Sequence, residues 1–217
     1  IPSVLMGIDQ LPSDLNKISP VGTIFTSMFM HGGWMHLIGN MLYLWIFADN
    51  IEDDLGTLNF VIFYFASGVG AAMSQVLVDV NSQIPMIGAS GAIAGVLGGY
   101  LLLHPKANVN VLMWIIIFIS VIRIPAFIVL GFWIIGQFFN ASFGAEGGVA
   151  YFAHIGGFVA GMILIPFFKR ADISLFQEPH SQAFQSTNFN FSNLRSSNSS
   201  DNFMQDFIDT ANKKDKN

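Results

Sequence analysis

Cysteine is absent from the 217-residue chain, which excludes a disulfide framework and any thiolate metal site. Charge is scarce too, with Asp, Glu, Lys and Arg together supplying 11% of residues. Between Val21 and Ile165 the only basic residues are Lys106 and Arg123, and the acids are confined to Asp49, Glu52, Asp53, Asp54, Asp79 and Glu146. The net charge of -5 is modest and gives no sign of a nucleic-acid role. There is no initiator methionine at Ile1 and no basic leader with a short apolar run, so a segment is expected to lie upstream. What fills the chain instead is apolar: 53% hydrophobic residues, among them 22 phenylalanines, with a mean hydropathy of +0.56. Such a chain has a bilayer as its natural solvent, and its few charges mark loops or water-facing ends.

Residues 1–20, with Pro2, Pro12 and Pro20, read as an outer loop. Five hydrophobic segments follow, at about 34–48, 58–77, 90–103, 124–140 and 149–168, within a membrane domain spanning 21–170. A further apolar run, Val109–Ile122, lies between the third and fourth. After Lys169-Arg170 the composition turns to Asn, Ser and Gln, so 171–217 is expected to be a disordered cytoplasmic tail. The expected fold class is all-α, a polytopic membrane helix bundle.

The third segment, SGAIAGVLGGYLLL, has 14 residues from Ser90 to Leu103. As a helix it covers roughly 21 Å of a hydrocarbon layer about 30 Å thick, so one end stops inside the membrane. His104, Pro105 and Lys106 suit the aqueous end, which leaves Ser90 submerged. Unsatisfied backbone is costly in lipid, so Gly88 and Ala89 must lie against protein or a wet cavity.

Other polar residues belong at the same depth. His36 and Asn40 are one helical turn apart at the start of the first segment, and His154 lies near the start of the last. If segments one, three and five run in the same direction, His36, Asn40, Ser90 and His154 share one membrane face. That parity allows a single crossing between Leu103 and Val149, so Val109–Ile122, which ends in Arg123 and Pro125, is expected to be interfacial or partly inserted. Gly91, Gly95 and Gly99 recur every fourth residue on the third segment, and Ala153, Gly157 and Gly161 do so on the fifth. Packing these small-residue ridges together brings Ser90 and His154 to one level. Lys106, Arg123, Lys169 and Arg170 all fall at the opposite ends, which places those ends in the cytoplasm and opens the pocket outward.

A serine hydroxyl, a neutral histidine to take its proton and donors for an oxyanion are what serine hydrolysis of a peptide bond requires. Ser90 and His154 can be nucleophile and base; the Ser90 N–H and the His36 and Asn40 side chains can form the oxyanion hole. Near His154 there is no carboxylate at this depth, so a dyad is expected. Gly88 and its neighbours leave room for a substrate backbone. Each piece has a plainer reading. Ser90 could bond a carbonyl one turn back, His36 and Asn40 could be a structural pair, and the glycines could serve packing alone. His104 reads as a helix cap and His31 as a loop fastener. A zinc site from His31, His36 and His154 lacks a nearby carboxylate, and G-x-S-x-G fails because position 92 is alanine. No cofactor or metal ion is expected.

The motifs HGGWMHLIGN (31–40), GASGA (88–92) and AHIGGFVAG (153–161), with FADNIEDDLG (47–56), resemble the rhomboid family of intramembrane serine proteases over about Val21–Phe168. The resemblance implies Ser90 as nucleophile, His154 as base, and His36 and Asn40 as oxyanion partners. It also implies that the first segment is the family's second helix, that the helix starting near Ile124 or Pro125 tilts to admit substrate, and that a small residue precedes the scissile bond. Two features depart from it. Some members stack a tyrosine on the histidine where this chain has Ala94, and the tryptophan–arginine pair of the first loop is missing. The expected function is cleavage of transmembrane segments of membrane proteins, in a bacterial cytoplasmic (inner) membrane with the site facing outward. Partners are then transmembrane substrates and lipid. The alternatives are a catalytically silent rhomboid-like protein that binds transmembrane helices, and a small transporter or channel, against which the chain lacks an inverted repeat and a buried carboxylate.

Overall fold

A computed structural model describes residues 1–10, 18–115, 118–143 and 149–178. Helices α1 (Pro2–Leu5) and α2 (Pro20–Ser27) precede α3 (Trp34–Leu55), α4 (Thr57–Val78) and α5 (Ser90–Leu103). Strands β1 (Asn108–Ile115) and β2 (Phe118–Pro125) come next, then α6 (Ala126–Phe143) and α7 (Tyr151–Phe168). The five anticipated segments are the five long helices. By length and apolar content α4, α6 and α7 can each cross a membrane. The 22-residue α3 carries Asp49, Glu52, Asp53 and Asp54 in its final turns, and α5 is the short helix its 14 residues imply.

Two expectations about the flanks need correction. The region read as an outer loop contains α1 and the start of α2, where Ser19 accepts from the Gly22 amide at 3.1 Å and Pro20 occupies the first turn. A hydroxyl cap followed by proline is a helix-start signal in its own right. The tail read as starting at 171 is in fact fixed on the bundle through Glu178. The Phe176 and Gln177 amides donate to the Leu102 and Leu103 carbonyls at 2.7 and 2.8 Å, satisfying the open end of α5. Gln177 also donates to Asp54 at 3.1 Å. Residues 11–17 of the expected loop and 179–217 of the expected tail lie outside the described residues.

The run Val109–Ile122 falls within an antiparallel hairpin, with Asn108 opposite Pro125 and Ile115 opposite Phe118. Its β-branched content, Val109, Val111, Val121, Ile122 and Ile124 among others, suits a pleated ribbon better than a helix. The hairpin leaves and returns at one end of the bundle: the Ala126 amide donates to the Ala107 carbonyl at 2.8 Å. It therefore does not cross, and α6 runs opposite to α5 and α7. Among the described residues this ribbon is the one departure from an all-helical chain.

The bundle centres on α5. Every residue from Ala92 to Tyr100 is buried, as is Leu103, which is the pattern of a helix surrounded by others. Where α5 meets α7, the close contacts are largely between small residues and main chain. A methyl group on Gly157 would strike the Gly91 carbonyl, one on Gly161 the Gly95 backbone, and one on Gly98 the Phe158 carbonyl. The other side of Gly95 lies against Ser67 of α4, so α4, α5 and α7 form one tightly joined unit. Gly99, read as part of the α5 ridge toward α7, faces the side chains of Ile165 and Phe63. At the α3–α4 corner Gly56 has φ +81 with nothing near its absent side chain. Its role is the turn itself, because a left-handed backbone there favours glycine.

Against the expectation that the chain lacks a buried carboxylate, Asp54 is buried, far from Ser90, with His104 Nε2 at 2.8 Å. His104 is the C-cap residue of α5, as expected, and its side chain also ties α3 to that end. Lys106, Arg123, Lys169 and Arg170 follow or precede helix ends on this same side.

Candidate active site

Helices α3, α5 and α7 begin at the same end of the bundle, and each contributes one part of the polar cluster. Ser90 is the first residue of α5. Its N–H belongs to the first turn, which has no intrahelical acceptor. Ser90 is reached through a sharp bend: Gly88 has φ +116 and donates its amide to the Ser27 carbonyl at 2.9 Å. His154 lies in the first turn of α7, with Nε2 at 2.8 Å from Ser90 Oγ. The start of α7 is held by α4, which the sequence analysis did not single out. Ser74 donates to the Phe152 carbonyl at 2.6 Å, and Gln75 Oε1 accepts from the Ala153 amide at 3.2 Å. Both side chains tie α4 to the main chain at the start of α7, the Ala153 amide being shared with the Ala150 carbonyl at 3.0 Å.

His36 and Asn40 lie one turn apart on α3. The Gly32 amide donates to His36 Nδ1 at 3.3 Å, so the ring carries its proton on Nε2, the nitrogen nearest Gly88. A methyl group on Gly88 would sit 2.7 Å from His36 Nε2 and 3.6 Å from Asn40 Nδ2. Asn40 is buried, and its Nδ2 donates to no group among the described residues. A buried amide donor with no acceptor is uncommon in a folded chain. The His31 ring packs edge-on against His36 with centroids 5.1 Å apart, so His31 fastens the loop through that ring. Ser90, His154, His36 and Asn40 all line one cavity of about 830 Å³, whose wall also includes Trp133, Gln137 and Tyr43.

Ala94 offers His154 no aromatic ring to stack on. The glycine ridge sets the depth, but the imidazole is contacted by other residues. Gln137 Oε1 is 2.8 Å from His154 Nδ1. The Trp133 ring lies beside the imidazole, centroids 6.1 Å apart at 37°, and Tyr151 meets it edge-on at 6.3 Å. A signal for Gln137 exists in the sequence. It is the one strongly polar side chain between Arg123 and Asn140, and an amide in a membrane helix seeks a partner.

Gly88→Ala tests the bend. An L-residue held at φ +116 costs about 1–3 kcal/mol, and the new methyl group displaces His36. The expected result is a lower unfolding temperature in detergent, read by thermal unfolding. A parental value would show that the bend tolerates a side chain.

These features define a polytopic membrane protein that holds a serine and a histidine in hydrogen-bond contact at the wall of a cavity. The model of the rhomboid domain matches residues 20–171, and the chain belongs to the rhomboid family. It is 34% identical over 136 residues to RHOMBOID-like protein 4 of Arabidopsis thaliana, covering 63% of this chain and 31% of that one. It is 31% identical over 157 residues to Rhomboid protein 1, mitochondrial, of Saccharomyces cerevisiae, covering 68% and 41%. With Rhomboid-like protease 3 of Toxoplasma gondii it shares 27% over 147 residues, covering 68% and 51%. The matches thus span about a third to a half of these relatives' own length. With helices of membrane-crossing length, the chain is an integral membrane protein.

Proposed function

We propose that the chain is an intramembrane serine endopeptidase that cuts transmembrane segments of other membrane proteins. The observation that carries the reading is the 2.8 Å contact between Ser90 Oγ and His154 Nε2 at the wall of the cavity shared with His36 and Asn40. Ser90 donates its proton to His154 as its oxygen attacks the scissile carbonyl. The Ser90 N–H, His36 Nε2–H and the unspent Asn40 Nδ2 donors supply the charge that the developing oxyanion needs. His154 then returns the proton to the leaving amine, and water entering through the cavity hydrolyses the acyl-enzyme at Ser90.

A transmembrane helix keeps its carbonyls bonded to itself, so the substrate must unwind before Ser90 can reach one. Glycine near the cut favours that step, and the family resemblance adds a small residue just before the scissile bond. Substrate enters sideways past α6, of which only Ala126 and Leu130 are buried. The four basic residues at the far end support a cytoplasmic position for that end by the positive-inside rule, with the cavity opening on the outer face of a bacterial cytoplasmic membrane. The printed name of the Toxoplasma gondii relative, a protease, supports the same reading.

The full chain in detergent or liposomes is tested with a serine-directed fluorophosphonate probe and with a glycine-containing transmembrane segment. Labelling at Ser90 that disappears in His154→Ala, with a single cut in the segment, is the expected result. A folded chain that neither labels nor cuts any such segment would overturn the protease and leave a silent protein that binds transmembrane helices.

A further inference from the structure

The imidazole of His154 makes two hydrogen-bond contacts, and they constrain each other. On one side Nδ1 faces Gln137 Oε1 at 2.8 Å; on the other Nε2 faces Ser90 Oγ at 2.8 Å. An amide oxygen only accepts, so the ring donates from Nδ1 and leaves its Nε2 lone pair for the serine proton. The amide itself is oriented: Gln137 Nε2 donates to the Trp133 carbonyl at 3.4 Å, one turn back on α6. That bond turns the oxygen, not the nitrogen, toward His154. Trp133 adds its own ring beside the imidazole. Both supports come from one face of α6.

We infer that Gln137 is a positioning residue which holds His154 with its proton on Nδ1, and so presents Nε2 to Ser90 as a base. This rests on the protease reading for its consequence, but not for the tautomer. A neutral amide does here what a carboxylate does beside the histidine of a soluble triad, without the cost of a charge in a membrane interior. It also links the base to a helix that is lightly held. The buried residues of α6, Ala126 and Leu130, belong to its first turns, where the Ala126 and Phe127 amides are bonded to the Ala107 and Pro105 carbonyls. Gln137 sits toward the other end. The base is therefore set only while the cavity end of α6 is docked against α7.

The test pairs a spectrum with a reaction. Full chain carrying ring-15N histidine is studied in detergent micelles, with His154→Ala identifying the signal. In the parent that signal is expected to be the Nδ1–H tautomer. Gln137→Met keeps the length of the side chain and drops the acceptor, so the signal should become a mixture; Gln137→Glu keeps an acceptor and should restore it. Fluorophosphonate labelling of Ser90 should slow on the order of 10- to 100-fold in Gln137→Met, the scale known for partners that orient metal-bound histidines, and recover in Gln137→Glu. Thermal unfolding separates these effects from lost structure.

An Nε2–H tautomer in the parent overturns the inference, and so does a Gln137→Met spectrum and labelling rate equal to the parent's. A parent that shows the Gln137-dependent tautomer yet never labels keeps the positioning and removes the protease reading. Labelling that ignores Gln137 does the reverse.

Discussion

Gly161→Leu is expected to cost the chain its fold, while Gly131→Leu is expected to leave it intact. At Gly161 the absent side chain points straight at the Gly95 backbone; at Gly131 nothing lies within 4 Å. An extra group in a filled core costs about 1–3 kcal/mol when neighbouring side chains can give way. Main chain in a helix cannot, so a leucine at Gly161 forces α7 away from α5 as a whole. The same pair of helices holds Gly157 against Gly91, and Ser67 of α4 closes the other side of Gly95, so α5 has no room to move aside. Without hydrophobic pressure between helices in a bilayer, such close packing is the main attraction available. Leucine at Gly131, on the lipid side of α6, meets open space and gains up to about 1 kcal/mol of helix propensity. Thermal unfolding and gel filtration in detergent compare the two. Equal unfolding temperatures would mean that the α5–α7 contact does not hold the bundle together.

Most of this architecture was legible because membrane burial writes a strong signal. The long apolar runs marked α3 to α7 to within a few residues, apart from the charged extension of α3 beyond Ala48. Parity then forced the interval from Val109 to Ile122 to stay on one side. Its ribbon form was not legible from apolar character alone, since a run of Val and Ile reads equally as buried strand or membrane helix. The small α2 was missed because the prolines were read as breakers, although Ser19-Pro20 is equally a helix start. Residues 171–178 were missed for another reason. Their order comes from partners far along the chain, the Leu102 and Leu103 carbonyls and Asp54, and no local composition reports that.

The candidate site was legible in a graded way. Ser90, His154, His36 and Asn40 stand out because polar groups in an apolar helix are expensive and need a reason. Gln137, Ser74 and Gln75 carry the same mark but were not singled out. Their contacts run between helices, to His154 and to the start of α7, and helix spacing alone does not predict which face meets which. A division of labour results: α5 holds α7 by close main-chain contact and α4 holds its start through Ser74 and Gln75, whereas α6 reaches His154 with Gln137 and Trp133. Rigid depth and adjustable orientation thus come from different helices.

Ser90→Ala and His154→Ala are each expected to lower cleavage of a transmembrane substrate by at least about 10³-fold, and the double substitution by no more than either alone. In the proposed mechanism the two groups act on one proton. Without the imidazole the hydroxyl keeps its proton and attacks poorly; without the hydroxyl the imidazole at 2.8 Å has nothing to activate. His36→Ala and Asn40→Ala should behave differently. Each removes one donor from the oxyanion while the Ser90 N–H and the other side chain remain, so each loses about 10²- to 10³-fold or less. Because these donors act on charge rather than on the shared proton, His36→Ala added to Asn40→Ala should cut the rate further than either does. Single-turnover cleavage in liposomes measures all six proteins. Losses that simply multiply between Ser90→Ala and His154→Ala would mean that the serine and histidine do not work as one unit, and the proton path from Oγ to Nε2 would have to be abandoned.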